Sequence, residues 1–257
     1  MKIKVMGCSG GIGTGLRTTC VRVDEDILID AGTGLGDLSL DEMARIQHIF
    51  LTHSHLDHIC GVPLMVDSVF GRLTEPVVVY GREETIAALK EHVFNWVIWP
   101  DFSELPSTES PVLRFEIIQP GQVTELDGRR IEMIAVNHAV PGAGYRIEDS
   151  SGVFAFSGDT TTNDTFWRAL NNYPRLDALM VECAFLDRAR ELTEKAYHYC
   201  PSMLAADLQK LRHRPQIFIS HLNPGDEQEI MVECRKLLPD FQVHQLRSGD
   251  DIPLMAE

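Results

Sequence analysis

The stretch Thr52-His-Ser-His-Leu-Asp-His-Ile-Cys-Gly61 constrains this chain more than any other. Three histidines and an aspartate, His53, His55, Asp57 and His58, fall within six consecutive residues. The run before them, His48-Ile-Phe-Leu-Thr52, is apolar and β-prone, so it reads as a buried strand that ends at the cluster. On an extended tail the side chains alternate, which points His53 and His55 to one side. Where the chain then turns into a helix, Asp57 and His58 swing to a neighbouring direction. One short segment can therefore offer two ligands to one metal ion and two to another. Neutral imidazole and carboxylate suit Zn²⁺ and its borderline neighbours; Mn²⁺ and Fe²⁺ accept the same donors.

A two-metal site needs ligands from elsewhere, and the chain supplies them in similar settings. His138 follows the apolar run Ile131–Val136, and Asp159 follows Val153-Phe-Ala-Phe156 within Ser157-Gly-Asp-Thr160. His221 follows Gln216-Ile-Phe-Ile-Ser220. Each stands at the C-terminal end of a β-prone run, where loops from a sheet converge on a site. A lone histidine is more often structural than a ligand, but the same placement three times over argues for a shared centre.

The pattern His-x-His-x-Asp-His, followed by His, Asp and His, resembles that of the metallo-β-lactamase superfamily over nearly the whole chain. The resemblance implies that His53, His55 and His138 hold a first divalent ion. It assigns Asp57, His58 and His221 to a second, with Asp159 bridging, and makes zinc the leading candidate for both. Further segments narrow the likeness. Asp30-Ala-Gly-Thr33, His53–Gly61, Phe94-Asn95 and Ile98-Trp-Pro100 resemble class II cyclic nucleotide phosphodiesterases. Glu182-Cys-Ala-Phe185 and the later His198 resemble a segment shared by class II enzymes and the tRNA-processing ribonuclease Z group. The class II pattern Gly-His-Leu-Thr-Pro stands here as Tyr197-His-Tyr-Cys-Pro201, with the histidine and proline kept and the flanks changed.

These likenesses imply hydrolysis of 3′,5′-cyclic nucleotides at a binuclear centre. A water shared by two ions would attack phosphorus, and His198 would protonate the alkoxide that leaves. Glu182 would orient His198 and favour its protonated form. Asp57 counts among the catalytic candidates as well as the ligands. Thr160, Thr161, Thr162 and Asn163 follow Asp159 and are candidate hydrogen-bond donors to phosphate. Three other readings compete: processing of tRNA 3′ ends, thioester or lactam hydrolysis, and a metal-binding regulator without activity.

Composition narrows the partners. Formal net charge is −15 and no basic run is present, which argues against a protein that grips nucleic acid by its backbone. No apolar stretch approaches membrane-span length. The six cysteines lack paired metal spacing and read as reduced thiols of a cytoplasmic protein. Strands alternate with helices in both halves, so the expected fold is an α/β protein, an αββα sandwich of two mixed sheets with helices outside. Absence of a linker predicts one domain over 1–257. The turn Asp30-Ala-Gly32 reads either as a tight connection or as support for a ligand loop. The block His92–Phe102 reads as a core helix ending at Pro100, an active-site wall, or the seam of a homodimer.

Overall fold

A computed structural model describes residues 1–254. The first half builds a sheet in the order β14 (Asp251–Ile252), β1 (Ile3–Gly7), β2 (Cys20–Val23), β3 (Ile27–Ile29), β4 (His48–Phe50), β5 (Val77–Gly81) and β6 (Leu113–Ile117). The second half builds another in the order β13 (Val243–Gln245), β12 (Gln216–Ser220), β11 (Ala178–Glu182), β10 (Gly152–Phe156), β9 (Gly142–Asp149), β8 (Arg129–Val136) and β7 (Val123–Leu126). Both are mixed. Pairing is antiparallel from β14 to β3 and parallel from β3 to β6. It is antiparallel from β7 to β10 and parallel from β10 to β13.

The period-two alternation of the strands sorts their side chains into three cores. Phe154, Phe156, Met180 and Phe218 point inward and meet Val5, Ile27, Ile29 and Phe50 between the sheets. Their neighbours Val153, Ala155, Leu179, Val181, Ile217 and Ile219 face outward. They pack against helices α5 (Thr165–Asn171), α7 (Pro201–Leu208) and α8 (Glu227–Leu237). On the other outer face, Leu28, Ile49, Val77 and Val79 pack against α3 (Gly61–Val69) and α4 (Glu83–His92). Strands buried on both faces read as unbroken apolar runs, which is why β10, β11 and β12 were visible in the sequence. The result is the expected αββα sandwich. Shorter helices α1 (Leu40–Met43), α2 (Leu56–Ile59) and α6 (Arg190–Ala196) complete the connections. Among the described residues, no helix is long and apolar enough to cross a membrane.

Two departures have local causes. The reading of His92–Phe102 as a core helix running to Pro100 is incorrect, because α4 stops at His92. Asn95 Nδ2 donates to the Glu91 carbonyl, while its Oδ1 accepts from the amides of Val97 and Ile98. That local bonding competes with helix propagation and turns the chain through Trp96, whose φ is +62°. Phe94 and Phe102 drop into the outer core, whereas Trp96, Val97 and Ile98 are 58%, 84% and 63% exposed. Asn95→Ala should cost about 1–2 kcal/mol, read as a lower midpoint in urea unfolding with the slope unchanged. The second departure concerns β6, β7 and α6, which carry charged and half-exposed residues and so lack a strong apolar signal.

Candidate metal centre

The C-terminal ends of β3, β4, β10, β11 and β12, with that of β8, converge on one rim of the sandwich. His53, His55 and His138 gather there, as do Asp57, His58, Asp159 and His221, each group offering ligand atoms within 4.8 Å of one another. Asp159 stands between them: its Oδ2 lies 3.2 Å from His58 Nε2 and 3.8 Å from His53 Nε2, and its Oδ1 lies 3.3 Å from His221 Nδ1. His55 Nδ1 faces His138 Nε2 at 3.2 Å. The structure thus brings together all seven residues proposed from the sequence. Gly158 makes the Asp159 loop possible, since its φ is +60° and a Cβ there would sit 2.5 Å from the Ala143 carbonyl oxygen.

The imidazoles are held from behind. Asp30 is fully buried and its Oδ2 lies 2.7 Å from His58 Nδ1. A carboxylate only accepts, so Nδ1 carries the hydrogen and the neutral ring presents Nε2 to the centre. The Thr52 hydroxyl donates to the same Oδ2, which leaves its oxygen to accept from His53 Nδ1 at 3.0 Å. One carboxylate therefore orients two histidines, while its Oδ1 accepts the Thr52 amide at 2.7 Å. His138 Nδ1 donates to the Tyr197 carbonyl at 2.9 Å, fixing that ring in the same sense. Of the two readings of the Asp30 turn, the supporting role is what the geometry shows. The contact with the Tyr197 carbonyl is not legible in the sequence, because a backbone acceptor leaves no residue-type signature.

Next to this cluster, Glu182 ends β11 with no exposed surface. Its Oε1 accepts from the Thr160 amide at 2.9 Å and from His198 Nδ1 at 2.7 Å. Its Oε2 accepts from the amides of Ala184 and Tyr199, each at 3.2 Å. Four donors on one buried carboxylate leave it little freedom. Across from it, the His198 ring stacks on His221 with centroids 5.2 Å apart and meets His138 edge-on at 5.1 Å. His198, His138 and Asp159 can also offer ligand atoms to a common position.

Charge follows this geometry. Burial lowers the proton affinity of His58, but the carboxylates of Asp159 and Asp30 outweigh it and push its pKa well up. Burial, joined by the charge of His58, pushes His53 well down. For Asp159 burial works upward, and the His221 and His58 charges overcome it to hold the carboxyl well below its usual range. A field that favours a proton on a buried imidazole also favours a divalent cation. Moreover His53 Nε2, His58 Nε2, Asp159 Oδ1 and His221 Nδ1 are buried without hydrogen-bond partners among the described residues. Leaving such atoms unsatisfied costs ~1–3 kcal/mol each, and metal coordination would satisfy all of them. The nitrogen and carboxylate donors fit two divalent ions.

The candidate phosphate donors fall differently. Thr160 and Asn163 are buried and bonded within their own loop: Thr160 Oγ1 contacts the Asn137 and Thr161 carbonyls, and Asn163 Nδ2 donates to Thr160 Oγ1. Thr161 is buried with its amide on the Asn137 carbonyl, and Thr162 is exposed. The hydroxyl of Thr160 and the amide of Asn163 thus shape the loop that carries Asp159.

The sequence model of the Beta-lactamase superfamily domain matches residues 25–225 of this chain. A probable 3′,5′-cyclic-nucleotide phosphodiesterase of Yersinia pestis is 25% identical over 98% of this chain and 84% of its own length. A ribonuclease Z of Bradyrhizobium is also 25% identical, over 84% of this chain and 87% of its own. Among solved structures, that of unliganded yeast PDE1 superposes with a TM-score of 0.78 at 19% identity, covering 95% of this chain and 96% of that one.

Proposed function

The chain belongs to the β-lactamase superfamily, and from that premise we propose that it is a binuclear metal-dependent phosphodiesterase which opens 3′,5′-cyclic nucleotides to nucleoside 5′-monophosphates. The observation that carries this reading is the buried Glu182–His198 pair against the metal cluster. Opening the ring at the 3′ position breaks a phosphorus–oxygen bond and releases a ribose alkoxide. An alkoxide is a poor leaving group and needs a proton as it departs. Burial works against a charged imidazole at His198, but the charge and hydrogen bond of Glu182 outweigh it and raise the pKa to about 9. His198 is therefore protonated at neutral pH, with Nδ1 on the carboxylate and Nε2 left to deliver the proton.

His53, His55 and His138 would hold one ion, and Asp57, His58 and His221 the other, with Asp159 between them. Zinc is the ion we propose. Bound there, two divalent ions supply an activated water for attack on phosphorus and offset charge on its non-bridging oxygens. Asp30 and Thr52 keep the His53 and His58 nitrogens aimed, and Glu182 keeps His198 in place, so the site needs little reorganisation. The Yersinia pestis relative, by its name, supports the cyclic nucleotide as substrate. The ribonuclease Z relatives support a different phosphodiester, the 3′ region of precursor tRNA. A net charge of −15 favours the small substrate over a polyanion.

A substrate panel tests the reading. Cyclic AMP, cyclic GMP, their 2′,3′ isomers, a chromogenic phosphodiester and a precursor tRNA are offered at matched concentration. The 3′,5′-cyclic nucleotides should be hydrolysed fastest, with 5′-monophosphate as product. Faster cleavage of precursor tRNA would replace this reading with tRNA 3′-end processing.

A further inference from the structure

We infer that the same rim carries a second ligand site, separate from the metal centre, that takes a phosphorylated small molecule of mononucleotide size. Strand directions place it. β1 runs parallel to β3 because two antiparallel pairings separate them, so Cys8 and Ser9 leave β1 on the rim where Asp30 stands. β13 runs parallel to β12, so Gln245–Ser248 emerge beside His221. Between these segments and the start of α8 lies a cavity of about 450 Å³. Small-molecule sites commonly measure about 300–1,000 Å³. It adjoins the metal cluster along the rim, since β13 is the neighbour of β12, whose end carries His221.

A wall of backbone divides the two. His221 N donates to the Cys8 carbonyl at 2.7 Å, and Gly10 N donates to the Leu222 carbonyl at 3.0 Å. A Cβ on Gly10 would stand 2.8 Å from the His221 carbonyl oxygen, so the two segments are pressed together. None of the seven clustered residues lines the cavity, whereas Cys8, Ser9 and Leu222 at this seam do.

The lining is made for an anion with a polar body. Arg17 and Arg247 both border it, in a chain of net charge −15. Arg17 is paired with Asp37 at 3.1 Å. The Arg247 guanidinium has no hydrogen-bond or ion-pair partner among the described residues; its backbone amide donates to the Asp250 carboxylate and its carbonyl accepts from the Asp250 amide. The one acid in the lining, Glu227, has its carboxylate on the Gly225 amide at 2.9 Å. Gln228 and Gln245 bond to each other at 3.3 Å and add amide donors and acceptors suited to a base or sugar. Guanidinium groups match phosphate oxygens in a planar, two-pronged geometry. Leu16, Leu222 and Leu246 supply the apolar part of the wall.

Calorimetric titration of the intact, metal-loaded chain with AMP, inorganic phosphate and adenosine tests the inference without reading activity. AMP should bind at least tenfold more tightly than phosphate or adenosine alone. Arg247→Glu and the milder Arg247→Gln, both at an exposed position, should weaken AMP at least tenfold and about threefold respectively. Asp159→Ala, which dismantles the metal centre alone, should leave this binding within twofold. Equal binding of adenosine and AMP would remove the anion site, and equal binding of phosphate would remove the claim of a nucleotide-sized ligand. AMP binding lost in Asp159→Ala but kept in both Arg247 variants would mean that AMP occupies only the metal centre. The cyclic nucleotide activity stands or falls on the substrate panel, independently of these titrations.

Discussion

Asp159→Ala should leave fewer than two bound divalent ions per chain and abolish turnover. Its carboxylate lies between the two groups of ligands, within 3.8 Å of nitrogens from His53, His58 and His221. Removing it takes away negative charge that favours cations and leaves imidazoles crowded without an intervening carboxylate. The loss should exceed the roughly 10–100-fold that removal of a supporting residue costs. Asp30→Asn provides that graded comparison, because it weakens the hold on His58 and His53 without removing a ligand. Elemental analysis of the purified variants decides the point. Two ions retained in Asp159→Ala would overturn the assignment of this residue as the bridge.

His198→Ala should keep both metals and the fold, yet slow release of a ribose alkoxide by about 10²–10⁴-fold. A p-nitrophenyl phosphodiester releases a stable anion that needs little protonation, so its rate should fall much less. A histidine that only positions phosphate would be missed equally by both substrates. The ratio of the two losses is therefore the measurement, and equal losses would exclude the acid role. Loss of a metal ion would instead make His198 a ligand, a possibility raised by its position against His138 and Asp159. The pH profile supplies an independent check. A group with a raised pKa is protonated below that value and loses its proton above it. The alkoxide reaction should accordingly decline as the pH rises through the pKa of His198, which Glu182 raises. In Glu182→Gln the burial of His198 is opposed only by the more distant charge of Asp159, so the decline should begin at lower pH. A basic limb that does not move in Glu182→Gln would mean that another group supplies the proton.

Much of this architecture is legible in the residues alone, for a physical reason. Strands buried on both faces must be apolar throughout, and a ligand at such a strand's end must be polar, so each boundary is abrupt. Phe50 to His53, Phe156 to Asp159 and Ser220 to His221 are such boundaries, and they mark the rim before any fold is known. The seven clustered residues emerge from the same logic, whereas the pairing of Glu182 with His198 is what the resemblance to superfamily phosphodiesterases implies. Edge elements are quieter. β6 and β7 mix charged and apolar residues because one face meets solvent, and their alternation is too short to stand out. The turn at Asn95 depends on one amide side chain meeting three backbone groups, which composition does not announce.

What the sequence determined by itself is the identity of the donors and the strands that present them, since both follow from residue type and local periodicity. Only the tertiary structure decided how those donors are held. Asp30 reaches His58 across 28 positions, and Glu182 meets the Thr160 amide across 22. The Tyr197 carbonyl fixes His138 from 59 residues away. Such contacts depend on how two sheets stack and which strand ends meet at the rim, and that is a property of packing over the whole chain. The same holds for Thr160 and Asn163, whose polar side chains look available in the sequence and are committed to their own loop once the chain folds.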